Sequence, residues 1–486
     1  MAAESWPAPA MALGASADQA CLPAQANDLE ALGLPEALPP DWRQRLLGAF
    51  GQALEGQRGL RQALEACVGC GACHQSCSFH LGTGDPHNTP QGRADLARRL
   101  YRRHFSPRAR LLGRWGQPRD ILDEDLLGLW RAYFWQCTLC RRCTLFCPLG
   151  IDTSLVTRAC RHILAQVGQV PGHVAREFLG ILGSGNGQGL PPAAWTARHQ
   201  ALEEELLRET GQAMACPVDE QGADVLLIPS PQEPFSQSAT YKGYAKVFHA
   251  AGLSWTTSTY LNQASNPGLW LGPRQAALVG RRVLEATRLL KPRHIVVAES
   301  GQGWAVLRNL GAVLAGGLAG EKYLKAKEPL HICQLSSRLL KEGAFAGVLR
   351  PQALQGVKPV FHEPCQVARS GGLGQEPRRL LKAACLGWLE MPKPVGGPLT
   401  LCCGAGGGLN APELYQVRLA GLMPLARALA QAQRRQGCTA VVTMCATCQD
   451  QLGEGLAHFG LGLTVHGVHE FLGQALYPSR PAEARP

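Results

Sequence analysis

The stretch Phe361–Cys448 holds His362-Glu363-Pro364-Cys365, then Leu401-Cys402-Cys403-Gly404-Ala405-Gly406-Gly407-Gly408, then Met444-Cys445-Ala446-Thr447-Cys448. Five cysteines fall in three packets, each roughly forty residues from the next. Two are adjacent and two form a CxxC. Adjacent cysteines followed by glycines make a poor core element, because glycine supplies no packing and much chain entropy. They make a good cradle, where backbone must come close to an inorganic group. This is the expected reactive centre: Cys365, Cys402, Cys403, Cys445 and Cys448, with His362 as a ligand, a proton donor to a leaving thiolate or, more commonly for such a histidine, a loop-fixing hydrogen-bonder.

The packets sit in an α/β grammar. Lys358–His362 and Thr439–Met444 are short apolar runs that predict strands, and Pro412–Gln436 predicts a long helix. Cysteines delivered at the C-terminal ends of strands are where open α/β sheets collect ligands. The same grammar occurs upstream, with strands over Ala223–Ile228 and His294–Ala298 and a helix over Lys242–Ala251. The chain therefore reads as a tandem repeat. Ser230 stands where Cys365 stands, and Ser300 where Cys445 stands. The first copy has no cysteine at these places and is expected to be structural.

Towards the N-terminus runs Cys67-Val-Gly-Cys70-Gly-Ala-Cys73-His-Gln-Ser-Cys77. Its spacing recurs as Cys137-Thr-Leu-Cys140-Arg-Arg-Cys143-Thr-Leu-Phe-Cys147-Pro148. Two CxxCxxCxxxC runs are the ferredoxin-type pattern for two [4Fe–4S] cubanes, in which the fourth cysteine of each run serves the other cluster. The expected ligand sets are Cys67, Cys70, Cys73 and Cys147 for one cubane, and Cys137, Cys140, Cys143 and Cys77 for the other. Eight cysteines in this order argue against separate zinc sites.

The 486 residues suggest several domains. Residues 1–40, rich in Ala and Pro, read as a flexible leader. Residues 41–170 read as a helical ferredoxin-type domain, with helices over Trp42–Ala66, Gln91–His104, Asp123–Tyr133 and Thr153–Val167. A helical linker over 171–222 leads to a first α/β repeat over 223–350, a second over 351–475, and a tail over 476–486. The expected fold class is α+β and α/β, multidomain: a helical ferredoxin-like two-cluster domain followed by a tandem α/β repeat.

The leading residues lack a basic start and a continuous apolar run, so they do not read as a signal peptide. No apolar stretch approaches the ~18 residues needed to span a membrane. Nineteen cysteines in such a chain point to metal binding rather than disulfides. Net charge is +11, and between Arg93 and Arg142 twelve arginines face five acids. Those arginines are either a solvated face or a dock for an acidic partner or anionic membrane surface. Nothing resembles a nucleic-acid-binding module. Gly406–Gly408 lacks the Gly-Lys-Ser/Thr ending of a phosphate loop, and no dinucleotide or flavin motif is present, so electrons must come from a partner. Cys21, Cys160, Cys216, Cys333, Cys385 and Cys438 read as core thiols.

Two ferredoxin runs followed by paired cysteine-rich repeats of CCG type resemble the catalytic subunits of heterodisulfide reductases (HdrD) and their relatives, above all the DsrK-like subunits of the DsrMKJOP membrane redox complex. The resemblance covers about residues 60–475 and is strongest in Phe79-His-Leu-Gly-Thr-Gly-Asp-Pro86, in Gln136–Asp152 and in the five-cysteine repeat. It implies a noncubane [4Fe–4S] cluster on Cys365, Cys402, Cys403, Cys445 and Cys448, acting on a disulfide or trisulfide in sulfur metabolism. It also implies a membrane cytochrome b partner of DsrM or HdrE type, a DsrC-like sulfur carrier or small heterodisulfide, other redox subunits, and a cytoplasmic location peripheral to the membrane. The family usually has Cys and His where this chain has Ser300 and Gln302. The alternative is a non-catalytic electron-transfer subunit of a flavin-dependent glycolate or lactate oxidase.

Overall fold

A computed structural model describes residues 22–107, 120–314 and 318–479. They form two compact units. Unit 1 comprises Met1–Leu179, Pro267–Gln275 and Leu401–Arg427; unit 2 comprises Gly180–Asn266, Ala276–Thr400 and Ala428–Pro486.

Unit 1 is helical. Its core is built by apolar residues at helical steps, such as Leu46, Phe50 and Leu54 on Trp42–Gly56, which are all buried. The single helix expected over Trp42–Ala66 is two, Trp42–Gly56 and Arg58–Glu65. The break falls at Gln57, whose backbone is non-helical, directly after the weak helix former Gly56. Two helices that follow the cysteine loops are firmly started. Thr89 accepts a hydrogen bond from the Gly92 amide (3.0 Å) ahead of Pro90–His104. Asp152 accepts one from the Ser154 amide (3.0 Å) ahead of Thr153–Ala165. Such caps contribute about 1 kcal/mol each.

The leader expected over residues 1–40 is shorter than its composition suggests. Ala26–Ala31 is helical, Leu29 and Leu32 are buried, and the Ala24 amide donates to the Val170 carbonyl at 2.8 Å. The leucines, not the surrounding Ala and Pro, decide the outcome, because burying each is worth about 1.5–3 kcal/mol. Residues 1–21, Cys21 among them, lie outside the described residues, as do 480–486 of the expected tail.

Unit 2 carries two four-stranded parallel sheets of identical order, β2-β1-β3-β4 and β6-β5-β7-β8. The first uses β1 (Val225–Ile228), β2 (Trp255–Thr256), β3 (His294–Val297) and β4 (Leu330–His331). The second uses β5 (Pro359–Phe361), β6 (Leu389–Glu390), β7 (Ala440–Thr443) and β8 (Thr464–Gly467). Their central strands β1, β3, β5 and β7 are apolar runs, almost wholly buried, as expected of strands covered on both faces.

Two domain expectations change. The linker expected over 171–222 is not a linker throughout. Helix Pro192–Thr210 buries Trp195, Leu202 and Leu206, and the Trp195 indole donates to Thr257 Oγ1 at 3.2 Å. The second repeat expected over 351–475 is interrupted, because Leu401–Arg427 belongs to unit 1. Among the described residues no helix is long and apolar enough to cross a membrane.

Candidate metal centre

In unit 1 the two cysteine loops have matching backbones. Gly69 and Gly71 take the left-handed conformation (φ 73° and 75°), and their counterparts Leu139 and Arg141 do the same at 57° and 61°. The left-handed region costs a side-chain-bearing residue roughly 1–2 kcal/mol, so the second loop adopts the wrapping shape against local preference. Cys77, Cys137, Cys140 and Cys143 line one cavity, with Arg93 and Thr138 also in its wall. Thr153 Oγ1 lies 2.6 Å from Cys143 Sγ, and Thr157 Oγ1 donates to Cys137 Sγ at 3.5 Å.

Burial raises the Cys143 thiol far above its ordinary value, and Cys140, Cys137 and Cys77 add to the rise. Burial also raises Cys73, against amide donation from Gln91, with Cys67 and Cys147 pushing the same way as burial. Sulfurs crowded like this disfavour ionisation until a cation balances them. An all-thiol donor set around one cavity, with hydroxyls aimed at the sulfurs, fits an iron–sulfur cluster. Cys70 is exposed, unlike the buried Cys77.

Three buried arginines escape a reading of the sequence, in which Arg93 and Arg142 only bound a basic stretch and nothing marks Arg161. Arg93 donates to Cys77 Sγ (3.5 Å), Arg142 to the Ser76 carbonyl (2.9 Å), and Arg161 to the carbonyls of Tyr133, Cys137 and Gly407 at 2.7, 2.8 and 2.6 Å. No spacing rule would have found them, since each acts across a long loop or between segments.

Arg161 joins the second cysteine loop to the glycine run of the Cys402-Cys403 packet, both in unit 1. Further ties hold that packet. The Cys402 amide donates to Ser78 Oγ (3.2 Å), Thr138 Oγ1 lies 3.2 Å from Cys402 Sγ, and His173 Nε2 is 2.8 Å from the Gly408 carbonyl. Gly407 has φ 65°, and a side-chain carbon there would sit 2.7 Å from the Thr138 carbonyl carbon. Gly407→Ala is therefore expected to cost about 2–3 kcal/mol through backbone strain and overpacking. A urea melt of the apoprotein measures it, and a change under about 0.5 kcal/mol would mean the loop yields freely.

Unit 2 holds the other three cysteines. Cys445 immediately precedes helix Ala446–His458. A hydrogen bond from Cys448 lowers its thiol pKa, burial opposes this, and the amides of Gly301, Cys448 and Thr447 reinforce it. A side chain on Gly301 would meet Val367 Cγ2 at 3.2 Å, Gln366 Cβ at 3.5 Å and Cys445 Sγ at 3.6 Å. Gln366 follows Cys365, so the first repeat, which lacks the cysteine packets, supplies an amide and a close approach to both packets. Strand pairing joins Ile228 to Val297 and Phe361 to Val442. Ser300 and Cys445 each lie three positions beyond their paired strand residue, so that equivalence stands. Ser230 lies two beyond and Cys365 four, so Gln232, not Ser230, occupies the place of Cys365. Aligning the two motifs by sequence overlooks the shorter strand exit.

His362 is fully buried, and neither ring nitrogen has a hydrogen-bond partner among the described residues. Burial holds it neutral, with its pKa pushed down to about 3. It is not the loop-fixing hydrogen-bonder that was the everyday expectation.

The two repeats are stitched by Glu299. Its carboxylate accepts from the amides of Val468 (3.2 Å) and His469 (2.7 Å) at the start of helix Val468–Leu476, and from His469 Nδ1 at 2.7 Å. Ser336 Oγ is 2.8 Å from His469 Nε2. The Glu299 amide donates to the Tyr244 hydroxyl, which donates to Glu233. Burial raises Glu233 and Glu299 to about 8 and lowers His331 and His469 to about 3 and His199 to about 4.

The signs give a pH optimum. The histidines bind fewer protons folded than unfolded, so stability falls as pH drops below about 6.5; the glutamates bind more, so it falls as pH rises from about 4.5 through 8. The depressed histidines outnumber the raised glutamates, so apoprotein stability should peak at roughly pH 6–7. Denaturation midpoints across pH 4–8.5 check this, and a monotonic rise to pH 8 would contradict the glutamate shifts.

Known proteins share these features. Residues 63–151 match the 4Fe-4S dicluster domain family, and residues 360–453 the cysteine-rich domain family called CCG. The chain is 31% identical to the Hdr-like menaquinol oxidoreductase iron-sulfur subunit 2 of Archaeoglobus fulgidus, over 90% of this chain and 84% of that protein. It is 30% identical to the Hdr-like menaquinol oxidoreductase iron-sulfur subunit of Archaeoglobus profundus, again over 90% of this chain and 84% of that protein. It is also 25% identical to the EtfAB:quinone oxidoreductase of Syntrophomonas wolfei, over 71% of this chain and 48% of that protein.

Proposed function

The chain belongs to the family of Hdr-like menaquinol oxidoreductase iron–sulfur subunits, and from that premise we propose that it relays electrons to or from a sulfur–sulfur bond. Its dicluster and cysteine-rich domains bind iron–sulfur clusters. The proposed inventory is two [4Fe–4S] cubanes and one noncubane [4Fe–4S] cluster, which when bound supply single electrons. Cys67, Cys70, Cys73 and Cys147 hold one cubane; Cys137, Cys140, Cys143 and Cys77 hold the other. The electrostatic neighbours of Cys73 and of Cys143 support this crossed grouping. Cys365, Cys402, Cys403, Cys445 and Cys448 hold the third cluster, an assignment supported by their spacing and by the family pattern.

One observation carries the reading. Cys402 Sγ lies 3.2 Å from the hydroxyl of Thr138, the residue between Cys137 and Leu139 in the second ferredoxin-type loop. A relay loop and a CCG packet are thus built into one folded unit. The protein's own groups then suit sulfur chemistry. A hydrogen bond from Cys448, reinforced by the amides of Gly301, Cys448 and Thr447, favours a thiolate at Cys445.

The partners in this proposal are a membrane cytochrome b protein, further redox subunits, and a DsrC-like sulfur carrier or small heterodisulfide, with the chain peripheral on the cytoplasmic membrane face. Exposed Val68, Leu145, Phe146 and Leu149 flank Cys67, Cys70 and Cys147. Such an apolar rim beside an exposed ligand suits docking of the electron-carrying partner. A second reading, electron transfer to a flavin carrier without substrate chemistry, is favoured by the similarity to the EtfAB:quinone oxidoreductase.

The test is anaerobic. Dithionite-reduced protein, freed of reductant, is mixed with a small heterodisulfide or a trisulfide-bearing carrier protein. Reoxidation of the clusters, with two electrons consumed per sulfur–sulfur bond cleaved, supports the proposal. Reoxidation by an electron-transfer flavoprotein, with every sulfur substrate inert, would replace it with the second reading.

A further inference from the structure

We propose that Arg93 is a positioning residue that holds up the reduction potential of the cubane bound by Cys77, Cys137, Cys140 and Cys143, an inference that rests on the cluster assignment above. The guanidinium lies in the wall of the cavity that these four cysteines line. Its Nη2 donates to Cys77 Sγ at 3.5 Å. Its Nη1 is fixed by the Asn88 carbonyl (2.6 Å) and Asn88 Oδ1 (3.0 Å), and the Tyr133 hydroxyl donates to the Arg93 carbonyl at 2.8 Å. The residue is 5% exposed. Among the described residues no carboxylate pairs with it, so sulfur is its anionic neighbour.

A guanidinium is always charged, and burying one without a carboxylate is costly. That cost is offset when the facing sulfurs carry negative charge. Reduction adds one electron to a cluster that the protein partly shields from water, which disfavours the reduced state. A fixed cation a few ångströms away opposes that penalty through little screening. The cavity wall that holds Arg93 contains Cys77, Cys137, Cys140 and Cys143 and none of Cys67, Cys70, Cys73 and Cys147. The effect should therefore fall on one cubane. It would keep the cubane next to Cys402 reducible by the one whose ligand Cys70 meets solvent.

The experiment is an EPR-monitored dithionite titration of the full-length protein, in which the titrant supplies one electron per cluster. Wild type is compared with Arg93→Gln, which keeps hydrogen-bonding capacity but not charge, and with Arg93→Lys, which keeps charge but not the fork. Thr153→Val, which removes the hydroxyl at Cys143 Sγ, identifies the affected cluster as the one whose potential it also moves. Arg93→Gln should weaken reduction of that cluster about tenfold, which is roughly 59 mV for one electron, and leave the other unmoved. Arg93→Lys should recover most of the loss. Equal shifts of both clusters, no shift, or loss of the cluster in both Arg93 variants would overturn the inference and leave Arg93 a scaffold. Wild-type protein without any [4Fe–4S] signal would overturn the cluster assignment itself, and this inference with it.

Discussion

Replacing Cys402 and Cys403 together by alanine removes about four of roughly twelve irons per chain and leaves both cubane signals in place. The expectation follows from how the loop is held. Its backbone is fixed by Ser78, Arg161 and His173, through the Cys402 amide and the carbonyls of Gly407 and Gly408. None of those bonds uses a thiol. Both cysteines are buried, so the truncation leaves small voids that cost about 1 kcal/mol or less apiece, and the unit stays folded. The measurement is iron per chain with EPR on anaerobically purified protein. Wild type near eight irons, unchanged in the double variant, would remove the third cluster from the proposal. A collapse of all signals would show instead that the thiols themselves hold the unit together.

Arg161→Leu should be the most damaging single substitution in unit 1. The side chain is 1% exposed and donates to three carbonyls, and its guanidinium lies 5.4 Å from the Phe134 ring centroid. Leucine retains much of the apolar stem but none of the donors, so buried oxygens lose a charged partner. A loss of about 3–5 kcal/mol is expected. Because Arg161 grips the Cys137 and Gly407 carbonyls, iron content should fall in the Cys77/Cys137/Cys140/Cys143 site as well. Urea melts of apoprotein and iron counts on the holoprotein read the two effects separately. A stability loss below about 1 kcal/mol would mean that water or relaxation satisfies those carbonyls without it.

Much of the fold could be read from local pattern. The strands expected near residues 225, 295, 360 and 441 are present, because each is a short apolar run. The doubled sheet order was legible as a repeat. Residues 22–40 were misread because Ala and Pro dominate the composition while a few leucines decide packing. Helix Pro192–Thr210 was taken for a linker because its polar residues hide a buried stripe of Trp195, Leu202 and Leu206. Gln232 was missed as the counterpart of Cys365 because motif alignment cannot see where a strand ends.

Arg93, Arg161 and Gly301 illustrate what no motif could announce. Arginine in a basic stretch looks solvated until the cavity wall is known. Gly301, in a repeat without the cysteine packets, looks idle until its amide is found at Cys445. These roles depend on which distant segment arrives at a given atom, and that is set by packing of the whole unit.

By itself the sequence determined the chemistry this protein can carry. Ligand spacing within a loop is a property of a few consecutive residues, so eight cysteines in two identical runs and five in three packets are readable without coordinates. Only the tertiary structure decided that the glycine-flanked Cys402-Cys403 packet folds with the ferredoxin-type loops, and that the buried Arg93 guanidinium lies in the wall of the cavity lined by Cys77, Cys137, Cys140 and Cys143. Those outcomes rest on contacts between residues tens to hundreds of positions apart, where burial, hydrogen-bond satisfaction and charge are settled together and leave no local trace in the chain.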